Sequence, residues 1–360
     1  MKRIILSEAG GTLTRNVVAS LRAAPEPFHI VGVSSNPYEL AVSGCDEVAL
    51  VPRASDPDFI ASIREAVARS GAAFLHSQHD AVIKVLSARR EELGVRTFLP
   101  GAEAVESCID KFRSYEKWAR AGIAVPRTRE VRSEAELAAA FEELGPKIWL
   151  RLKEGGGGSG ALPTDDYAFA KIWIDHFKGW GKFTAAEMLS PESITWTSIW
   201  SDGELMVAQG RRRLGWLFGN RTLSGVTGVT GVGETVSDAE IDALAQRAIL
   251  AIDGRPNGIF SVDMTYGLDG VAYPTEINIG RFFTTIHFFT EAGVNFPYIF
   301  VKLAYGEDPP LPDPRVNPLR PGLLWIRGMD MAPVLTDREA IANLPRALDE
   351  LKANACRQFC

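Results

Sequence analysis

Residues 259–279 read IFSVDMTYGLDGVAYPTEINI. Two runs rich in β-branched and aromatic residues, Ile259–Tyr266 and Val271–Ile279, flank Asp269-Gly270, a dipeptide favoured in two-residue hairpin turns. With those two as the turn, Leu268 pairs with Val271, and counting outward sets Asp263 opposite Glu276. Asn278 lies two residues past Glu276 and shares its face. Opposed side chains in such a ladder have Cβ atoms roughly 4.5–5.5 Å apart. Two carboxylates that close repel unless a cation or a proton lies between them. Oxygen ligands from Asp, Glu and Asn suit Mg2+, one ion or two, with Mn2+ as an alternative. Asp263, Glu276 and Asn278 are therefore the expected metal ligands.

Upstream, a second hairpin joins Ile194–Trp200 to Glu204–Gln209 through Asp202-Gly203. Between the hairpins, Gly210–Glu234 reads as a mobile loop rich in Gly, Thr and Arg. Its Arg211, Arg212, Arg213 and Arg221 are candidates to grip a carboxylate with paired N–H donors. A helix follows, opened by the capping box Ser237-Asp238-Ala239-Glu240. Further back, Lys147–Lys153 reads as a strand with Arg151 and Lys153 on one face, leading into Gly155-Gly156-Gly157-Gly158-Ser159-Gly160. Glycines let backbone N–H groups approach phosphate oxygens while the two cations supply charge. Arg151, Lys153, Gly157, Gly158 and Ser159 thus form an expected phosphate grip.

The first hundred residues alternate short apolar strands (Ile4–Leu6, His29–Val33, Val48–Val51, Ala72–His76) with helices such as Asp58–Arg69, which predicts a parallel sheet with covering helices. The glycines of Glu8-Ala9-Gly10-Gly11-Thr12 do not match the GxGxxG dinucleotide fingerprint. Helices are expected over Asp110–Ala121 and after the capping box at Ser133–Glu136. Near the C-terminus a strand at Leu323–Arg327 precedes a helix.

A net charge of −6 across 360 residues offers no general attraction to nucleic acid or to anionic lipid. The first apolar run is too short for a signal-peptide core, and no later run could span a bilayer. Cys45, Cys108, Cys356 and Cys360 form no CxxC pair, so a reduced, cytoplasmic protein is the simplest expectation.

In their order, Asp110-Lys111, the strand and flap Arg151–Ala161, Glu187-Met188-Leu189 with Glu192, and Asp263…Glu276-Ile277-Asn278 resemble the ATP-grasp superfamily. The resemblance spans roughly residues 1–305 and is strongest over 105–290. It points toward the halves of the carbamoyl-phosphate synthetase large chain, biotin carboxylase and related carboxylate–amine ligases. The implied fold is α/β, α+β in its ATP-grasp part: an N-terminal Rossmann-like parallel-sheet domain (1–105), a linker helix and small lid (106–186), a large subdomain with the metal site (187–310) and a C-terminal extension (311–360). The resemblance implies that Lys111 and Arg151 contact ATP phosphates and that Glu187, Met188 and Leu189 form the hinge that reads adenine. Glu192 would bind the ribose, one residue nearer the hinge than usual. Many relatives carry an arginine two positions after the metal-binding Asn. Here that position is Gly280, and Arg281 takes the expected role of steadying the γ-phosphate or acyl phosphate.

The reaction so implied is attack of a carboxylate on the γ-phosphorus of ATP, then attack of an amine on the acyl phosphate. Its partners would be a small-molecule acid and amine. His287 is expected near the substrate, and a homodimer is the family habit. Two rival readings keep the fold. One is a bicarbonate-using carboxylase or carbamoyl-phosphate-type enzyme, and the other an ATP-binding regulator without turnover.

Overall fold

The computed structural model describes residues 1–329, 334–340 and 343. The helix expected at the C-terminus, Cys356 and Cys360 lie outside them. Among the described residues no helix is long and apolar enough to cross a membrane.

The N-terminal domain runs β1 (Lys2–Ser7), α1 (Thr12–Arg22), β2 (Phe28–Ser34), α2 (Pro37–Ala41), β3 (Glu47–Leu50), α3 (Phe59–Ser70), β4 (Phe74–Ser77) and α4 (Asp80–Ala88). Its sheet is parallel, in the order β3-β2-β1-β4. The apolar runs at Ile4–Leu6 and Ile30–Val33 are continuous rather than alternating because helices cover both faces. The helices α5 (Ala102–Ile109) and α6 (Lys111–Arg120) lead to the lid. Asp110 caps α6, accepting from the backbone N–H groups of Phe112 (2.9 Å) and Arg113 (3.2 Å).

The lid comprises β5 (Thr128–Val131), α7 (Glu134–Leu144), β6 (Ile148–Leu152), β7 (Leu162–Thr164), α8 (Tyr167–His176) and β8 (Phe183–Glu187). Its antiparallel sheet runs β5-β8-β6-β7. Leu137, Ala140, Leu144, Ile148, Leu150 and Phe183 give it a core of its own.

The large lobe holds β9 (Ser193–Ser201), β10 (Glu204–Trp216), β11 (Thr230–Val236), α9 (Ala239–Ile252), β12 (Gly258–Tyr266), β13 (Ala272–Ile279), α10 (His287–Glu291), α11 (Phe296–Ala304), β14 (Leu323–Ile326) and β15 (Val334–Asp337). One seven-stranded sheet orders them β13-β12-β9-β10-β11-β14-β15. The strand expected near the C-terminus is thus an integral member, pairing with β11. One core joins this lobe to the N-terminal domain, with Ile5, Leu75, Ile83, Leu99, Trp196, Phe260 and Ile277 in contact.

Three local expectations are corrected. Residues 210–216 and 230–234 are strand rather than loop, because Arg211 and Arg213 alternate with Arg212 along a ladder paired on both sides; the stretch outside the strands shrinks to 217–229. The cap of α9 is Asp238, not Ser237, with its carboxylate accepting from the Glu240 and Ile241 N–H groups. The hairpin turn is one residue longer than the Asp-Gly pair suggests. Gly267 donates to the Val271 carbonyl at 2.8 Å and Tyr266 pairs with Ala272. A bulge between Asp263 and Met264 on one side, facing Thr275 on the other, then restores the count, so Asp263 does face Glu276.

Candidate active site

The registers of four strands assemble the site. Glu276 of β13 faces Asp263 of β12, which faces Thr195 of β9, which faces Arg211 of β10. Directly opposed residues share a face, so these four side chains form one row across the sheet. The neighbouring rows add Asn278, Ser261 and Thr197 on one side and Thr265, Ser193 and Arg213 on the other. Between them Ile194 and Trp196 point to the opposite face, where Trp196 Nε1 donates to Asp242 of α9 at 2.8 Å.

The acidic end of the row is surrounded by cations. Arg151 Nη2 donates to Glu276 Oε2 at 3.0 Å, and Lys111 Nζ lies 3.6 Å from Glu276 Oε1. Asp263 accepts from Thr195 Oγ1 and, at 3.0 Å, from Asn278 Nδ2. Arg213 Nη2 stands 3.8 Å from Asp263 Oδ1. Lys111 is buried; desolvation, opposed by the Glu276 charge, lowers its pKa. At the basic end, Arg211 donates to Thr195 (2.7 Å), Thr230 (2.9 Å) and Thr285 (3.3 Å) and stacks over Phe283. Burial, and after it the neighbouring Arg213 charge, draws Arg211 down to about 9. Arg213 donates to Ser193 (2.8 Å) and Thr230 (3.2 Å), with its guanidinium carbon 3.8 Å from the Trp216 ring centroid. Among the described residues no carboxylate lies within ion-pair distance of Arg211. A cation desolvated without an anion is costly, so this end of the row is built to receive one.

Two glycine-rich loops roof the row. Gly157 and Gly158 of the flap have φ of +67° and +74°. A Cβ on Gly228 of the facing loop would fall 2.5 Å from Gly157 Cα, and one on Gly158 would fall 2.6 Å from the Val226 carbonyl oxygen. Side chains would hold these loops apart.

Row and roof enclose a cleft of about 1290 Å3. The cleft gathers Arg151, Gly157, Gly158, Glu187, Met188, Leu189, Arg211, Arg213, Asp263, Glu276, Asn278 and Arg281. Glu187 is held by Arg127, whose Nε donates to it at 2.9 Å. Lys111 sits beneath the flap and donates to the Gly155 carbonyl at 2.6 Å. Six other expected residues do not line the cleft, among them Arg212, which alternates with Arg211 and Arg213 and faces away beside Ile194. Lys153 follows the end of β6 and pairs with Glu130 of the lid at 2.7 Å. Ser159 is tied only within the flap, through its N–H to the Gly156 carbonyl. Glu192 is exposed ahead of β9. Arg221 is exposed over the Phe218 ring. His287 packs at the base of α10 between Ser20 (3.2 Å) and Glu291 (3.1 Å).

Sequence reasoning missed Ser193, Thr195, Asp80 and Gln78. The alternation of Ser193, Thr195 and Thr197 with Ile194 and Trp196 was the available signal for β9. Asp80 and Gln78 had none, since their partners lie some 200 residues away. The carboxylate of Asp80 accepts from Arg281 Nε and, at 3.1 Å, from Arg281 Nη2. Burial, the largest single influence, would raise the Asp80 pKa, but the Arg281 charge and hydrogen bond together with the Lys111 and His79 charges outweigh it, and the net shift is downward.

The donors at the acidic end are all oxygens, from two carboxylates and an amide, a set that fits a hard divalent ion such as Mg2+. Among the described residues no group of three or more His, Cys, Asp or Glu side chains is placed to hold a metal ion by itself, so the amide of Asn278 is part of the set.

No family model matches this sequence, and no curated protein matches it. Solved structures do. N5-carboxyaminoimidazole synthase from Aspergillus clavatus, in complex with ADP and 5-aminoimidazole ribonucleotide, superposes with a TM-score of 0.66 at 19% identity, over 90% of this chain and 81% of that one. L-amino acid ligase from Bacillus licheniformis gives 0.66 at 13% identity, over 90% and 79%. The biotin carboxylase domain dimer of Hydrogenobacter thermophilus 2-oxoglutarate carboxylase, in complex with MgADP, ADP and bicarbonate, gives 0.69 at 16%, over 90% and 73%. The chain has the ATP-grasp fold. At these identities the likeness speaks to architecture alone, a four-stranded parallel-sheet domain followed by two antiparallel-sheet lobes.

Proposed function

We propose that this chain is an ATP-dependent ligase that activates a carboxylate as an acyl phosphate and transfers the acyl group to an amine. The substrate carboxylate oxygen attacks the γ-phosphorus, the bond from phosphorus to the bridging oxygen breaks, and ADP leaves. The amine nitrogen then attacks the acyl carbon, a proton is lost from nitrogen, and phosphate departs. The observation that carries this reading is the row Glu276–Asp263–Thr195–Arg211 beneath a glycine roof. It sets an oxygen-ligand site for a divalent ion next to Arg211, a buried cation with no ion-pair partner among the described residues.

The residues divide the work. Arg151, Lys111 and Arg281 surround the acidic end, where charge spreads over the transferring phosphoryl group, and preorganised cations stabilise such charge. Glu187, Met188 and Leu189 line the cleft where the lid meets the large lobe and form the proposed adenine hinge. The flap N–H groups cover the phosphates and exclude water. Arg211 and Arg213 receive the substrate carboxylate. Asp263, Glu276 and Asn278 would hold Mg2+, which supplies charge neutralisation at the phosphates when bound.

Between an organic acid and bicarbonate, cleft size favours the former. At about 1290 Å3 it exceeds the roughly 300–1,000 Å3 usual for one small ligand. That leaves room for an acid and an amine beside the nucleotide. The test is a screen of acid–amine pairs for phosphate release with mass detection of the amide. An amide formed in step with ADP is expected. ADP release that depends on bicarbonate and on no amine would refute the assignment.

A further inference from the structure

We propose that Asp80, on the N-terminal domain, is a positioning residue that aims the Arg281 guanidinium at the transferring phosphoryl group. The inference rests on the ATP-dependent reading above and extends the site onto a domain outside the large lobe that holds the row.

The backbone around Arg281 is fixed first. Gly280 follows β13 with φ +70°, and a Cβ there would fall 2.9 Å from Ile83 Cγ2. The chain therefore turns tightly against α4. The next N–H, of Phe282, donates to Gln78 Oε1 at 2.9 Å, and Ser261 Oγ donates to the Arg281 carbonyl at 3.2 Å. Gln78 and Asp80 both lie in the β4–α4 segment, so this one stretch of the N-terminal domain seats both the backbone and the side chain that follow the metal strand.

The guanidinium is fixed second. A free arginine spreads over many rotamers, and that freedom must be given up before it can face a phosphate. Asp80 takes Nε and Nη2 with its two oxygens, the fork geometry that fixes both position and plane. Nη2 also donates to Asn278 Oδ1. Nη1 has no protein partner among the described residues. The flap passes over the pair: a Cβ on Gly156 would lie 3.7 Å from Asp80 Oδ2 and 4.0 Å from Arg281 Nη2. Asp80 sits in the first turn of α4, where the helix dipole favours a carboxylate. The outcome is an arginine whose free N–H edge is presented beside Asn278 under the phosphate-covering loop.

The test is a double-mutant cycle on binding, independent of turnover. Calorimetry gives the affinity ratio for Mg·AMP-PNP over Mg·ADP in the wild-type protein, Asp80→Asn, Asp80→Glu, Arg281→Met and the Asp80→Asn/Arg281→Met double variant. Asp80→Asn is expected to lower the ratio by about 10- to 100-fold, the range of one charge-assisted hydrogen bond. Arg281→Met should match it, the double variant should fall no further, and Asp80→Glu should lie closer to wild type. An unchanged ratio in Asp80→Asn, or losses that multiply in the double variant, overturns the proposal. So does an Asp80→Glu that binds like Asp80→Asn. A wild-type protein with no preference between the two nucleotides removes this inference and its foundation together. A protein with the preference but no amide from any acid–amine pair removes only the ligase assignment, and the cycle still decides Asp80.

Discussion

Replacing Glu276 with Gln should destabilise the nucleotide-free protein, although removing an active-site acid from beside another acid commonly does the reverse. Two effects compete. Glu276 faces Asp263 across the ladder, and mutual repulsion at about 5 Å is worth roughly 3 kcal/mol at an effective dielectric constant near 20. Against that, Glu276 holds Arg151 at 3.0 Å and Lys111 at 3.6 Å, each attraction being roughly 5 kcal/mol on the same scale. Lys111 has a side chain only 7% exposed, so its charge cannot turn to water. Without the Glu276 charge, its partners among the described residues are the Gly155 and Lys153 carbonyls. Breaking a buried pair from one side costs about 3–5 kcal/mol. The partial exposure of Glu276 and the relief of repulsion reduce the expected loss to about 2 kcal/mol. Urea denaturation in EDTA of wild type and Glu276→Gln measures it. The second arm adds Mg·ATP. Wild type should gain about 2.7 kcal/mol at a ligand concentration of 100 times Kd, and the variant should gain almost nothing. A variant as stable as wild type in EDTA would show that repulsion governs the pair and that Arg151 and Lys111 do not compensate it.

Three further outcomes are expected. Arg151→Ala should lower ADP formation by about 100-fold or more while circular dichroism stays unchanged, read in a coupled ADP assay with the acid–amine pair found by screening. Gly228→Ala forces a Cβ to within 2.5 Å of Gly157 Cα at φ +71°; calorimetry should give about tenfold weaker Mg·ATP binding. In that variant the melting temperature should fall by only a few degrees, since the contact lies in the roof. His76 is buried, and desolvation holds its pKa at about 3. Below pH 6.5 the unfolded chain takes up a proton that the folded one refuses, so stability falls with pH from 6.5 toward 3, by at most about 1.4 kcal/mol per unit. His76→Phe, which keeps packing against Phe74 and Phe300, should flatten that part of the profile; an identical slope in urea titrations at pH 7.5 and 5.5 would rule it out.

The fold was legible wherever periodicity speaks locally. The parallel strands around Ile5, Val31 and Leu75, the helix beginning near Asp110 and the hairpin carrying Asp263 all follow from short-range pattern. The pairing of Asp263 with Glu276 was inferred through a two-residue turn, whereas the chain uses a longer turn and a compensating bulge. The arginine-rich stretch read as a loop because Gly and Thr dominate its composition. In the sheet those residues pack closely: Gly233 faces Arg213, and a Cβ on it would meet the Arg211 side chain at 3.1 Å. Glycine there makes room for a guanidinium rather than for motion. Thr195 was missed because its meaning depends on both neighbouring strands, and Asp80 because its partner belongs to another domain. Contacts between distant segments leave no period in the chain.

The bulge at Thr275 has a bearing on how such a hairpin can change. Its hydroxyl donates to the Asp263 carbonyl (3.1 Å), and its own carbonyl accepts from the Tyr115 hydroxyl (3.1 Å), anchoring the irregularity to α6. Everything beyond it toward Asp269 can lengthen, shorten or twist without altering which acid meets which. Variation at the exposed tip, where Leu268 is 83% solvent-accessible, is thereby insulated from the metal-binding end of the same two strands.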